Sequence, residues 1–286
     1  MNQTDTQIEM NRGWSLMALI WMTIFSLSAG AQSVAMKKTL TGVEDANIKK
    51  WTLPVSFETA SSMGEEWSSE RRADSTITIS PLYRLTSRLR VSGNISLTKE
   101  HSGVGDSAFN NSAVGLSYLT KLTDGITWTV SGSAVLPTNP QEREQKSYQG
   151  ALRLGNAFSF SQIPGGGFMT YRLTVGRNFH GYSQGADGSY NLKQSLGHSL
   201  DYTQPIYGNL SLTGIFGYTQ AWTYLDDQRY SFLMAAQLSY QATDEASVSI
   251  GTANQASALR PNGRDSNIEF FNDETSIVTL GLSYVF

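Results

Sequence analysis

The chain contains no cysteine among its 286 residues. A disulfide framework, thiol catalysis and a thiolate-ligated metal centre are thereby excluded. Histidine is almost as scarce, with only His101, His180 and His198. Nucleophilic hydrolysis needs a Ser beside a His held by a third group, and on one strand face the Ser would stand two residues from the His. His198 has Leu196 and Leu200 there, while His101 and His180 fall in or beside polar loops. No H-x-S pair and no Asp-His pairing emerges, so the chain is read as a non-enzyme without cofactor or metal. An excess of one charge is missing too: 21 basic against 24 acidic residues give a net charge of −3, which argues against nucleic acid as a partner.

Long apolar runs are absent beyond Leu27. The only extended stretch, Trp14 to Leu27, covers about 14 residues, fewer than the ~20 that a membrane-spanning helix needs. Ala29-Gly30-Ala31 follows it as a small-x-small cleavage site. Residues 1–31 therefore read as a secretory signal peptide cut before Gln32. Asp5 and Glu9 against a lone Arg12 make an unusual amino-terminal region, and translation from Met10 would give the more ordinary start M-N-R-G-W.

What the chain does have is alternation with a period of two. About twelve alternating segments, each of roughly 10 to 13 residues, are predicted as strands at 51–60, 74–86, 88–99, 111–121, 126–137, 148–161, 167–180, 191–203, 209–222, 229–241, 246–258 and 275–286. Their connections alternate in length. Ser87, Thr123-Asp124-Gly125, Ile163 to Gly166, Gln204 to Gly208 and Thr243-Asp244-Glu245 are short and turn-like. Ser61 to Ala73, Glu100 to Asn110 and Leu259 to Glu274 are longer and polar. Aromatics gather at segment ends: Trp51, Tyr83, Tyr118, Trp128, Phe160, Tyr171, Tyr202, Tyr240, Tyr284 and Phe286 at the short-turn end, and Phe57, Tyr148, Phe179, Tyr218, Trp222, Tyr230 and Phe232 at the other. A soluble sandwich would bury its aromatics near the strand middles, which here are Leu, Val, Ile, Gly and Ala.

The last segment, T-S-I-V-T-L-G-L-S-Y-V-F, sets Val278, Leu280, Leu282, Tyr284 and Phe286 on one face and Thr279, Gly281 and Ser283 on the other. It resembles the closing strand of a bacterial outer-membrane β-barrel. The resemblance implies an all-β, transmembrane, antiparallel up-and-down barrel of about twelve strands in residues 51–286, located in the outer membrane of a Gram-negative bacterium. Residues 32–50 would be a short periplasmic segment, too small for a plug. The expected partners are outer-membrane lipid and lipopolysaccharide, small solutes, and the barrel-assembly machinery, which in that family reads the terminal aromatics, here Tyr284 and Phe286.

In that register the inward positions are mostly small hydroxyls, among them Thr52, Ser56, Thr76, Thr78, Ser92, Ser131, Ser199, Thr213 and Ser249. About twelve strands enclose a bore between filled eight-stranded barrels and open porins. The inward charges are Arg84, Arg90, Lys121, Arg153, Arg172 and Lys193 against Glu58 and Asp201, a net positive wall that concentrates anions. This is similar to the twelve-stranded porins for acidic sugars and implies a channel for small polar or anionic solutes. Alternatively, the arginines cross-link the wall through Glu58 and Asp201.

Two other function classes stay open. Gly103-Val104-Gly105-Asp106 before A-V-G-L-S-Y resembles a motif of outer-membrane proteins associated with aromatic-compound degradation, which implies a transporter of hydrophobic compounds. The other class is an outer-membrane lipid-modifying enzyme. His198, with Asn156 and Gln194, faces lipid in this register; a local slip or bulge is the preferred explanation, an oligomer contact the other. Pro54 and Pro81 remove ladder donors, so the first strand and its seam with the last should be the weakest part of the wall.

Overall fold

Alternation of small polar with aliphatic or aromatic side chains gives each segment one face for water and one for an apolar surrounding, and such segments satisfy their backbone by pairing edge to edge. A computed structural model describes residues 50–63, 73–102, 107–260, 264–273 and 275–286. The signal peptide, all of segment 32–50 except Lys50, Gly103 to Asp106, Glu65, Glu66 and Glu274 lie outside the described residues.

The first wall strand comprises β1 (Trp51–Thr52) and β2 (Pro54–Ser62), and the second β3 (Ala73–Ile79) and β4 (Leu82–Arg84). β5 (Leu89–Glu100) follows, with the short β6 (Ser107–Phe109) paired to it off the wall. The wall continues through β7 (Ala113–Thr123), β8 (Ile126–Val135), β9 (Tyr148–Ile163), β10 (Gly167–His180), β11 (Leu192–Tyr207), β12 (Leu210–Thr223), β13 (Gln228–Gln241), β14 (Ala246–Ser257) and β15 (Ser276–Val285). Neighbours are antiparallel, and β15 pairs with β2, which closes a barrel of twelve strands. Closure removes the open edges at which sheets aggregate.

The two prolines mark breaks in the first two wall strands. Pro54 starts β2 and Pro81 separates β3 from β4, and both carbonyls are used, accepting from Ser80 N at 2.9 Å and Gly93 N at 2.8 Å. The seam itself is unbroken. It holds nine consecutive pairs, from Ile277 with Ser62 to Val285 with Pro54, against seven between β2 and β3. Leu53 and Phe286 extend it by one further pair, exchanging backbone hydrogen bonds of 3.3 and 3.2 Å.

Leu154 at 66% and Leu280 at 49% exposure typify the outward face. Among the described wall strands its only charges are Lys99 and Arg177, both near the long-loop end. Trp51, Tyr118, Tyr202, Tyr240, Tyr284 and Phe286 are exposed around the short-turn end. Three aromatics depart from expectation. Phe57 pairs with Leu282, two residues from Tyr284, and so belongs to the short-turn half. Tyr148 turns inward, because the register shifts between Phe179 and His180 and pairs Tyr148 with inward-facing His180. Gly150 makes that bulge possible: its φ is 132°, and a Cβ there would lie 2.8 Å from the Val135 carbonyl oxygen. Phe232 faces outward as expected, yet is fully covered.

A short helix, α1 (Pro140–Lys146), interrupts the β8–β9 loop. Asn139 caps it by accepting from Glu142 N at 3.1 Å, Pro140 follows at the first turn, and Ser147 ends it in the left-handed region at φ 51°. The sequence Asn-Pro-x-Glu is a legible start signal that strand periodicity masks.

Candidate functional site

The lumen wall is held by hydroxyl pairs between adjacent strands. Thr76 and Thr98 are 2.8 Å apart, Ser159 and Thr170 3.1 Å, Thr203 and Thr213 3.0 Å, and Ser247 and Ser283 3.2 Å. A hydroxyl donates once and accepts twice, so such a pair keeps capacity for water.

Arg84 and Arg90 are direct cross-strand partners on β4 and β5, facing the lumen near the short-turn end. Lys121 stands at that rim, half exposed, 2.7 Å from Asp124. Its hydrogen bond and charge hold the Asp124 carboxyl below the usual carboxylate range. Arg172 on β10 is ion-paired with Asp201 on β11. Arg153 on β9 lies higher, within electrostatic reach of Tyr148 and Glu142. Lys193 does not line the wall. The register shifts between Leu192 and Gln194, and Lys193 reaches the loop residue Asp226 at 3.1 Å.

Glu58 faces inward on β2, and Asp74, which sequence reasoning missed, does so on β3. The spacing Asp74-x-Thr76-x-Thr78 carried the signal. Both carboxylates border an inner cavity of about 70 Å³ with Thr76, Gln237, Gln255 and Thr279. The predicted residues thus form no single cluster: Arg84 and Arg90 line β4–β5, Lys121 stands at the end of β7, Arg153 and Arg172 line β9–β10, and the two acidic ones are apart, Glu58 on β2 and Asp201 on β11.

At the long-loop end α1 folds into the mouth. The inward-facing Val135, Ala151 and Asn178 are all buried, and Glu142 and Lys146 share a small pocket with Tyr148, Asn178, His180 and Asn191. Glu142 accepts a hydrogen bond from the Asn111 amide and lies 4.0 Å from Lys146. Asn191 donates to the Lys146 carbonyl at 3.1 Å and to that of Tyr182 at 2.9 Å. His180 stacks edge-on between Tyr148 and Tyr224. Sequence reasoning named Tyr148 and His180 separately but not as a cluster, because its members come from α1, β9, β10 and loops that are distant along the chain.

On the outer wall no slip occurs at His198: the register runs unbroken through Leu173, His198 and Tyr218. His198 is outward, and its Nδ1 lies 2.8 Å from the Tyr171 hydroxyl. Asn156 likewise accepts from Trp128 Nε1 at 3.3 Å. Local partners reduce the cost of a polar group on an apolar face. No H-x-S pair stands on one strand face, as expected, but a Ser-His contact forms between strands. Ser75 Oγ lies 2.8 Å from His101 Nε2 across β3 and the end of β5, a juxtaposition that spacing along one strand cannot reveal.

No family model and no curated protein matches the chain. Solved structures do. An outer-membrane channel from Pseudomonas putida F1 superposes with a TM-score of 0.61, 14% identity, and coverage of 86% of this chain and 98% of that one. The NanC porin gives 0.54 at 13% identity over 81% and 98%, and the KdgM porin 0.50 at 10% over 82% and 99%. At these identities the likeness is one of fold.

Proposed function

We propose that the chain is a channel in the outer membrane of a Gram-negative bacterium, passing small polar solutes with a preference for anions. The outward apolar face with its aromatic rim supports the location. The long-loop end is then extracellular and the short-turn end periplasmic. One observation carries the anion preference. Arg84 and Arg90 stand directly opposite each other on the lumenal face, so two cationic side chains share one stretch of the wall, and a wall lined by one sign of charge concentrates the opposite ion. Arg172, neutralised by Asp201, contributes less. The fold shared with solved channels supports the same reading.

The test is a planar-bilayer record of the refolded protein. Wild type should pass chloride over potassium, less so as salt shortens the Debye length from about 10 Å at 0.1 M to about 3 Å at 1 M. Changing Arg84 and Arg90 together to Glu should reverse the sign of the reversal potential and leave the barrel conducting. A closed record from folded protein, or an unchanged selectivity, overturns the proposal.

A second reading, hydrolysis of lipid esters, rests on Ser75 and His101. Among the described residues no third group holds His101, and the channel reading is carried further. Labelling of Ser75 by a fluorophosphonate, lost in Ser75→Ala, would establish the second reading.

A further inference from the structure

Three outward positions near the extracellular end, Phe232, Asn254 and Ser276, are almost wholly buried, at 0%, 1% and 0% exposure. Their register is unbroken with the exposed Ile250 and Leu280, so something covers the wall from outside. Over Asn254 and Ser276 the cover is the segment before β15. Asn254 Nδ2 donates to the Glu269 carbonyl at 2.7 Å, and Asn267 Nδ2 to the Ser257 carbonyl at 3.1 Å. Asn272 N donates to Ser276 Oγ at 2.9 Å, and Asn272 Nδ2 to the Glu269 carboxylate at 3.1 Å. Residues 267–272 therefore form a strap laid down the outer face of β14 and the start of β15.

The polarity of this strap is inverted. Asn267, Glu269 and Asn272, its half-buried residues, are tied to the wall or to each other, whereas Ile268, Phe270 and Phe271 are exposed at 39%, 54% and 49%. A loop meant for water would bury its aromatics and expose its amides. We infer that the strap is a lipid contact, its Ile268, Phe270 and Phe271 resting among acyl chains of the outer leaflet. Continuity with the apolar wall directly below names the occupant. The inference rests on the membrane reading proposed above.

The absence of cysteine makes the test direct. Phe270→Cys and Ile268→Cys are labelled with a nitroxide in liposomes, beside Leu280→Cys on the wall and Asp244→Cys at a periplasmic turn. Collision with oxygen, enriched in lipid, is compared with collision with a water-soluble nickel chelate. Positions 268 and 270 should match 280, with oxygen dominant at least severalfold. If they match 244 while 280 stays lipid-like, the strap is in water and the inference falls, but the barrel's placement stands. Shielding of both strap labels from both probes would mean a protein occupant, such as a second copy, and also overturns it. If 280 itself meets the nickel chelate, it is the membrane reading that fails.

Discussion

A single residue on this wall is defined by its parity. Leu280 and Ser283 lie on the same strand, one outward and one in the lumen. Leu280→Arg should impair insertion, since an outward charge near mid-membrane costs about 2–4 kcal/mol, while Ser283→Arg faces water and should be tolerated far better. Urea titration of barrels folded into vesicles reads the difference, and equal stabilities would refute the register. At this scale the sequence was largely legible. The inward positions of Arg84, Arg90, Arg153, Arg172, Glu58 and Asp201 follow from counting by two. Counting failed where the backbone gains a residue: the bulge at Gly150 turned Tyr148 inward and the shift at Lys193 sent it to the rim, and neither leaves a mark in the alternation. The Ser75–His101 and Tyr171–His198 contacts were hidden because cross-strand neighbours depend on register.

Among the elements, α1 is the one that stands in the mouth of the proposed channel. Its start hangs on Asn139, whose side chain caps Glu142 N, and Asn139→Ala should cost about 1 kcal/mol of local stability. Because the helix occupies the mouth, loosening it should raise single-channel conductance or add open-state noise. An unchanged trace would show that solutes pass elsewhere. Strand boundaries were readable to within a few residues throughout, and 167–180 coincides with β10. The loops were not readable, since their positions depend on side chains from distant segments meeting over the bore.

For the molecule as a whole, the terminal aromatic tests assembly. Phe286 is well exposed and packs edge-on against Tyr284 with ring centroids 4.6 Å apart. Its deletion should lower the amount of heat-modifiable barrel recovered from outer-membrane fractions severalfold, while refolding from urea into detergent should change little. Equal loss in both assays would assign Phe286 to the wall alone. The seam has one more consequence, and it concerns time. Ser62 and Ile277 are partners although they belong to the first and last wall strands, so the earliest-made strand lacks one of its two neighbours until β15 has been synthesised. Closing so large a loop carries an entropic penalty that only the finished ladder offsets, and topologies dominated by such distant pairings fold slowly. Until then β2 and β15 are both open edges. The chain must therefore be kept from aggregating while it waits, and the pairing of its first strand with its last is the step that ends the wait.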